Sequence, residues 1–513
     1  MYRKVISGGI RGVQAYTVEI EVDVSNGLPS IEMVGLLNSE VKEAKERVRA
    51  SIKNMNITIP PRRITVNLSP ANIRKRGTIY DFPIAVGILA AMEMISEKIL
   101  ENACFIGELS LDGRLLPVNG VLPIIMHAKE EGIETCYIPE ANVKETENIA
   151  GLQVVSVISL KHMMDISMGE NRERKTTYDK CGNTKNEFVK HNDETLDFSQ
   201  VQGQKMAKRG AEIAVSGRHN LLFVGTPGSG KSMLSKRIPT ILPKLTEEEI
   251  LEISKIYSIA GLLNNKTLIN QPPFRTPHHT ITPQALSGGG RYPKPGEVTL
   301  AHKGILFLDE FPEFKAQTLE ILRQPLEDRA ITISRLQEQY VFPADFILVA
   351  AMNPCKCGYY PDRFRCNCTE HDVYTYMKKI SGPLLDRIDI AVQVSKVKFE
   401  ELNEEKPQES SLQIRRRVER ARKIQRDRYQ TDGISCNGEL TVPLIKKYCK
   451  LKSEEIHYMS MIYEQMQLST RAYYKILKVA RTIADLQEEE QIRQEHIAEA
   501  VLFRPIQYDN VVK

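Results

Sequence analysis

No stretch of this 513-residue chain stays apolar for long enough to cross a bilayer. The longest mainly apolar run, Phe82 to Ile95, is shorter than the roughly 20 residues that a spanning helix needs, and Glu93 interrupts it. The opening MYRKVISGGIRGVQAY also lacks the apolar core of a signal peptide. A cytosolic protein with no membrane partner is expected. An excess of one charge is missing too: 70 basic against 65 acidic residues leave +5, which neither requires nor excludes nucleic acid. Internal repeats are absent, and no low-complexity tract stands out beyond one polar segment. What remains, 42% hydrophobic and 26% charged residues, describes a globular chain long enough for about three domains.

Four of the nine cysteines lie in NPCKCGYYPDRFRCNC, as Cys355, Cys357, Cys366 and Cys368. In a reducing compartment such a cluster reads as metal ligands or free thiols and not as disulfides. Two C-x-C pairs could close a tetrahedral, structural Zn²⁺ shell with no open position. Four reduced thiols in an exposed loop are the competing reading.

Residues 1–165 read as a compact α+β unit. Val18, Ile20, Val22 and Val24 alternate with acidic residues, which predicts a half-exposed strand. VKEAKERVRASI predicts an amphipathic helix, RITVNL a strand, DFPIAVGILAAM a buried helix, and CFIGELSLDGRLLPV a hairpin. Residues 166–194 are polar without periodicity and read as a linker. From 195 to 396 apolar strands alternate with helical segments, the pattern of an α/β core, and 397–513 read as a helical bundle.

LLFVGTPGSGKSMLSKRI sets an apolar strand before Gly225, Thr226, Pro227, Gly228, Ser229, Gly230, Lys231 and Ser232, with a helix after them. This is a P-loop: backbone N–H groups wrap the ATP phosphates, Lys231 reaches the β and γ oxygens, and Ser232 coordinates Mg²⁺. GILFLDE supplies the second acidic strand. Asp309 would hold Mg²⁺ through water and Glu310 would polarise the attacking water. FILVAAMN ends in Asn353, placed to contact the γ-phosphate or that water. In GPLLDRIDI, Arg387 stands between Asp386 and Asp389, which alone reads as a local salt bridge.

The ordered set GTPGSGKS, AHKGILFLDE, AAMNPC, GPLLDRIDI and LSTRAYYKILKVARTIADL resembles the magnesium-chelatase-like AAA+ ATPases, most closely their ComM/YifB branch. The resemblance covers nearly the whole chain except the linker. It implies a multidomain α/β protein: an N-terminal Lon-protease-like domain of ribosomal S5 domain 2-like fold, a P-loop AAA+ core with inserted segments, and a C-terminal helical lid. It further implies Walker A at Lys231 and Ser232, Walker B at Asp309 and Glu310, sensor 1 at Asn353, an arginine finger at Arg387 and sensor 2 at Arg471. A finger must reach a neighbour's nucleotide, so a ring, usually a homo-hexamer, is implied. AITISRLQEQYVFPADF reads as a hairpin of the kind that points into such a ring's pore. His278 and His279 are adjacent and point apart, so structural or hinge roles are expected in place of metal binding.

FIGELSLDGRLLPVNGVLPIIMHAKEEGIETCYIPEAN resembles Lon-type proteases, yet Arg74 to Ala85 contain no serine and Leu122 occupies the expected position of the lysine. Peptidase activity is not expected. The basic stretch Arg62, Arg63, Arg74, Lys75 and Arg76 suggests a DNA-contacting or ring-organising role, or a solvated surface. The arginines of Ile414 to Tyr429 suit phosphate contact or a lid helix facing a neighbour. ATP hydrolysis follows from the motifs, and the resemblance implies that it drives a motor on single-stranded or branched DNA, migrating branches in recombination of incoming DNA. A magnesium-chelatase motor subunit or a protein-remodelling ATPase is the alternative.

Overall fold

The alternation from Val18 to Val24 becomes strand β2 (Gln14–Ser25), antiparallel to β1 (Tyr2–Arg11), with Val18, Ile20, Val22 and Val24 buried. β3 (Ser30–Val34), β4 (Arg63–Ser69), β5 (Ala103–Phe105), β8 (Thr135–Pro139) and β9 (Gln153–Val157) complete a mixed seven-stranded sheet in the order β3-β4-β2-β1-β5-β8-β9. The computed structural model describes residues 1–147, 149–169, 196–263, 267–290, 293–334, 338–397 and 408–504. These residues fall into two compact units. One holds the chain up to residue 169 together with Glu247–Asn270; the other holds residues 196 to Thr246 and Gln271 onward. Most of the expected linker, 170–194, lies outside the described residues, while its first residues continue the helix Leu160–Met168 past residue 165.

In the first unit, α1 (Ser39–Asn54) starts where the Asn38 side chain accepts the Val41 N–H at 3.0 Å. α2 (Asp81–Ala91) is buried along its whole length, and its large apolar side chains contribute about 1.5–3 kcal/mol each. Val5 and Val22 share the sheet face beneath α2, where a Cβ on Gly87 would stand 2.7 Å from Val22 Cγ2. Gly8 has the opposite parity and faces α3 (Val121–Glu130), where a Cβ would stand 2.2 Å from Ile124 Cγ2. The two glycines thus let helices close on both faces.

The predicted hairpin at residues 104–118 divides. Ala103–Phe105 pairs parallel with β8 inside the large sheet, so only β6 (Glu108–Leu109) and β7 (Leu115–Leu116) form the hairpin. Residues 247–270 had been placed within the 195–396 core, but they pack in the first unit. Helix Glu247–Ile259 is held there by Ser258, whose hydroxyl donates to Glu145 at 2.6 Å and whose carbonyl accepts the Gly120 N–H at 3.0 Å. Leu122 is fully buried, and Asp81 is paired in bidentate fashion with Arg47 at 2.6 and 2.9 Å. The basic stretch is not one continuous surface: Lys75 is buried against the carbonyls of Pro70 and Ile73, and Arg63 pairs with Glu32.

The second unit carries a five-stranded parallel sheet. Its strands are β10 (Leu221–Gly225), β11 (Phe274–Arg275), β14 (Ile305–Leu308), β17 (Ile347–Met352) and β18 (Ile390–Val394), in the order β11-β14-β17-β10-β18. Between them lie two hairpins, β12 (Gly288–Gly289) with β13 (Lys294–Pro295) and β15 (Ala330–Ser334) with β16 (Gln339–Pro343), the second at the position read as a hairpin. Helix α4 (Lys205–Gly217) precedes β10. The helices Ser411–Arg428, Val442–Tyr448, Ser453–Gln465, Thr470–Leu486 and Gln494–Leu502 share one apolar core with the sheet. The described residues include no helix long and apolar enough to cross a membrane.

Candidate nucleotide site and cysteine cluster

The predicted P-loop, Asp309, Glu310 and Asn353 meet at one edge of the parallel sheet, whereas the predicted Arg387 and Arg471 do not join them. β17 lies between β14 and β10, so Asn353 emerges between the loop after β10 and Asp309–Glu310 after β14. Ligands of open parallel sheets bind at such carboxyl-terminal edges. The loop turns because Gly228 and Gly230 take φ of +73° and +92°, and because any Cβ on Gly225 would stand 2.3 Å from the Val394 carbonyl. Helix α5 (Lys231–Ser235) starts directly behind it.

Lys231 Nζ donates to the carbonyls of Gly225 at 2.6 Å and Thr226 at 3.0 Å, and to Asn353 Oδ1 at 3.1 Å. Burial lowers its pKa, against a smaller raising effect of Asp309. Ser232 Oγ donates to Asp309 Oδ2 at 2.6 Å, while Asp309 Oδ1 accepts the Glu310 N–H at 3.0 Å. The hydroxyls of Thr226 and Ser229 are buried and, among the described residues, have no partner, as suits a loop built to meet phosphate oxygens. Ser232 and Asp309 together present hard oxygen donors of the kind Mg²⁺ takes.

Glu310 sits at φ +52° with its side chain 60% exposed, and His279 Nδ1 lies 3.3 Å from its carboxylate. The expectation that His278 and His279 point apart, in structural or hinge roles, is corrected: their ring centroids lie 4.1 Å apart because the backbone turns there, and His279 faces the end of the acidic strand. Its position 31 residues upstream of Glu310 offers no local signal, and only the parallel pairing of β11 with β14 brings the two together.

Arg387 and Arg471 stand apart from this group. Among the described residues neither has a hydrogen bond or ion pair to the P-loop; both turn to Glu327. Arg471 also lines a cavity of about 640 Å³ with Leu222, Val224, Gln393 and Lys475, to which none of Gly225–Ser232 contributes. Four of the seven arginines of the helix Ser411–Arg428 have partners among the described residues of the chain. Arg415 donates to the Thr240 carbonyl, Arg417 pairs with Glu212 and Glu409, Arg420 with Glu488, and Arg428 with Asp485.

The four cysteines converge. Sγ of Cys355 lies 3.3 Å from Cys357 and 3.8 Å from Cys366, Cys357 lies 3.5 Å from Cys366, and all four sulfurs including Cys368 lie within 4.8 Å of one another. A Zn–S bond of about 2.3 Å gives a tetrahedron with edges of about 3.8 Å, so the cluster fits Zn²⁺ after a slight expansion. Burial opposes ionisation of the Cys357 thiol, but hydrogen bonds from the Tyr359 backbone and the neighbouring thiols bring it down to about 6. The backbone N–H groups of Gly358 and Tyr360 also donate to Cys355 Sγ, at 3.2 and 3.4 Å. This loop touches the nucleotide loop. A Cβ on Gly358, which takes φ +86°, would stand 2.6 Å from Pro227 Cδ.

The chain is 40% identical over 507 residues to the competence protein ComM of Haemophilus influenzae, covering 98% of this chain and 97% of that one. This chain belongs to the ComM/YifB family of magnesium-chelatase-like AAA+ ATPases. The ComM/YifB relative YifB of Escherichia coli is 39% identical, covering 96% of this chain and 95% of that one. Residues 197–402 match the family described as magnesium chelatase, subunit ChlI; residues 20–142 match subunit ChlI of Mg-chelatase, and 408–504 the ChlI C-terminal region. A Lon protease of Mycolicibacterium smegmatis is 24% identical over 168 residues, 31% of this chain and 21% of that one, so the Lon-like likeness is partial.

Proposed function

We propose that this chain is the subunit of a homo-hexameric, ATP-hydrolysing ring that moves branched or single-stranded DNA, with branch migration during recombination of incoming DNA as its task. The observation that carries the ATPase part is the convergence of Lys231, Ser232, Asp309, Glu310 and Asn353 at one sheet edge. Near-full-length similarity to a competence protein supports the DNA part.

In this reading Lys231 leaves the Gly225 and Thr226 carbonyls for the β and γ oxygens of ATP. Ser232 and Asp309 would hold Mg²⁺, which would offset phosphate charge when bound. Glu310 accepts the proton of the attacking water, Asn353 orients that water, and the γ-phosphoryl group leaves ADP as phosphate. Phosphate release measured with single-stranded, duplex and forked DNA tests the proposal. Stimulation by forked DNA, with ATP-dependent displacement of a strand, is expected. Equal rates with and without every DNA would overturn it. The names of the matched families favour a second reading, a motor that remodels a partner for Mg²⁺ insertion into a porphyrin, and that motor would show no DNA response.

The cysteine loop is proposed to hold a structural Zn²⁺ that braces the segment between Asn353 and Arg387. Chain purified without chelators is expected to carry about one Zn²⁺. Cys366→Ser should lose it and impair assembly or DNA stimulation more than ATP binding. Stoichiometric metal-free protein with normal assembly and coupling counts against the brace.

A further inference from the structure

Two arginines that resemblance assigns to separate roles end on the same carboxylate. Glu327, in the short helix Pro325–Asp328, accepts from Arg387 Nη2 through Oε2 and stands 4.0 Å from Arg471 Nη2 through Oε1. Arg387 follows the turn Gly382–Leu385, and Arg471 opens the helix Thr470–Leu486, so one side chain ties three separate elements. The pairing is lopsided. The Arg387 side chain is 10% exposed, whereas those of Glu327 and Arg471 are 59% and 45% exposed.

Arg387 is also incompletely satisfied. Nη1 donates to the Pro383 carbonyl at 2.6 Å, but Nε is buried with no acceptor among the described residues. A guanidinium left with an unpartnered buried donor is held short of its best geometry, since such a donor keeps its desolvation cost. Among the described residues, the carboxylate that Arg387 hydrogen-bonds, Glu327, is solvent-exposed. Hydrogen bonding to Arg387, then the charges of Arg387, Arg471 and Arg323, keep that carboxylate ionised below its ordinary pKa, against a modest effect of burial. An exposed ion pair of this kind is weak and easily exchanged. A phosphate oxygen carries more charge and accepts from a guanidinium in bidentate fashion, so it competes well for the same donors.

We propose that Glu327 is a positioning residue that gathers Arg387 and Arg471 in the single chain and yields Arg387 to a phosphate oxygen of the nucleotide held by a second copy of this chain. The proposal rests on the reading of Arg387 as a finger. Glu327 then sets the threshold for assembly into an active ring: while it holds Arg387, an approaching copy must displace a carboxylate before its phosphate is engaged.

The test is ATP hydrolysis as a function of protein concentration in the full-length chain, for the parent, Glu327→Ala, Glu327→Asp, Arg387→Ala and the double variant Glu327→Ala/Arg387→Ala. Glu327→Ala should lower the protein concentration of half-maximal activity about two- to fivefold, with KM for ATP unchanged. Glu327→Asp, which keeps the charge, should move back toward the parent. In the Arg387→Ala background, the Glu327 substitution should have no effect. An unchanged threshold in Glu327→Ala, or a loss of kcat as large as that of Arg387→Ala, would overturn the proposal. Parent-like kcat in Arg387→Ala would overturn the finger reading itself, and this proposal with it. An inactive Arg387→Ala beside a parent-like Glu327→Ala would overturn the latch alone.

Discussion

Glu310→Gln is expected to bind ATP as the parent chain does and to hydrolyse it about 10²- to 10⁴-fold more slowly. The two adjacent carboxylates are not equivalent. Each oxygen of Asp309 accepts one hydrogen bond, from Ser232 Oγ at 2.6 Å and from the Glu310 N–H at 3.0 Å, which holds it beside the proposed metal ligand Ser232. Glu310 has His279 at 3.3 Å and an otherwise exposed side chain, so its carboxylate is free to take a proton from water. Glutamine keeps the shape and hydrogen-bonding reach of this side chain but cannot accept that proton. Binding of a fluorescent ATP analogue and phosphate release, measured on the same preparation, separate the two effects. Hydrolysis within about tenfold of the parent rate would remove Glu310 from the role of base.

Arg387→Ala should lower kcat about 10³- to 10⁵-fold, provided that its guanidinium meets a neighbour's phosphate. Within one chain Arg387 makes no contact with the P-loop and is engaged by Glu327 and the Pro383 carbonyl. A cis role would need it beside Lys231. Mixing decides between the two cases. Equal amounts of inactive Glu310→Gln and inactive Arg387→Ala subunits should recover measurable hydrolysis, because some interfaces then pair an intact Glu310 with an intact Arg387. Failure of every mixture to exceed either variant alone would argue against action across an interface.

Much of the nucleotide site was legible because its chemistry is local. A buried strand, three glycines with a lysine and a serine, and a helix after them occupy consecutive positions, so the backbone conformation follows from the residues themselves. The four cysteines were legible for the same reason, all within fourteen positions. The arginine-rich helix was not. Spacing distributes Arg415, Arg417 and Arg428 around a cylinder, and only their partners, the Thr240 carbonyl, Glu212, Glu409 and Asp485, brought to the helix in the folded chain, reveal that these cations are engaged within it, whereas Arg420 pairs with Glu488 at the surface.

By itself the sequence determined the phosphate loop, the acidic strand end, the sulfur cluster and the family, since each is written in short runs whose spacing sets the geometry. Tertiary structure alone decided that residues 247–270 pack with the first unit, that Gly358 brings the cysteine loop onto Pro227, that His279 reaches Glu310, and that Arg387 and Arg471 share Glu327. Those contacts join residues far apart along the chain. They arise from strand order and side-chain packing, which no local pattern of residues encodes.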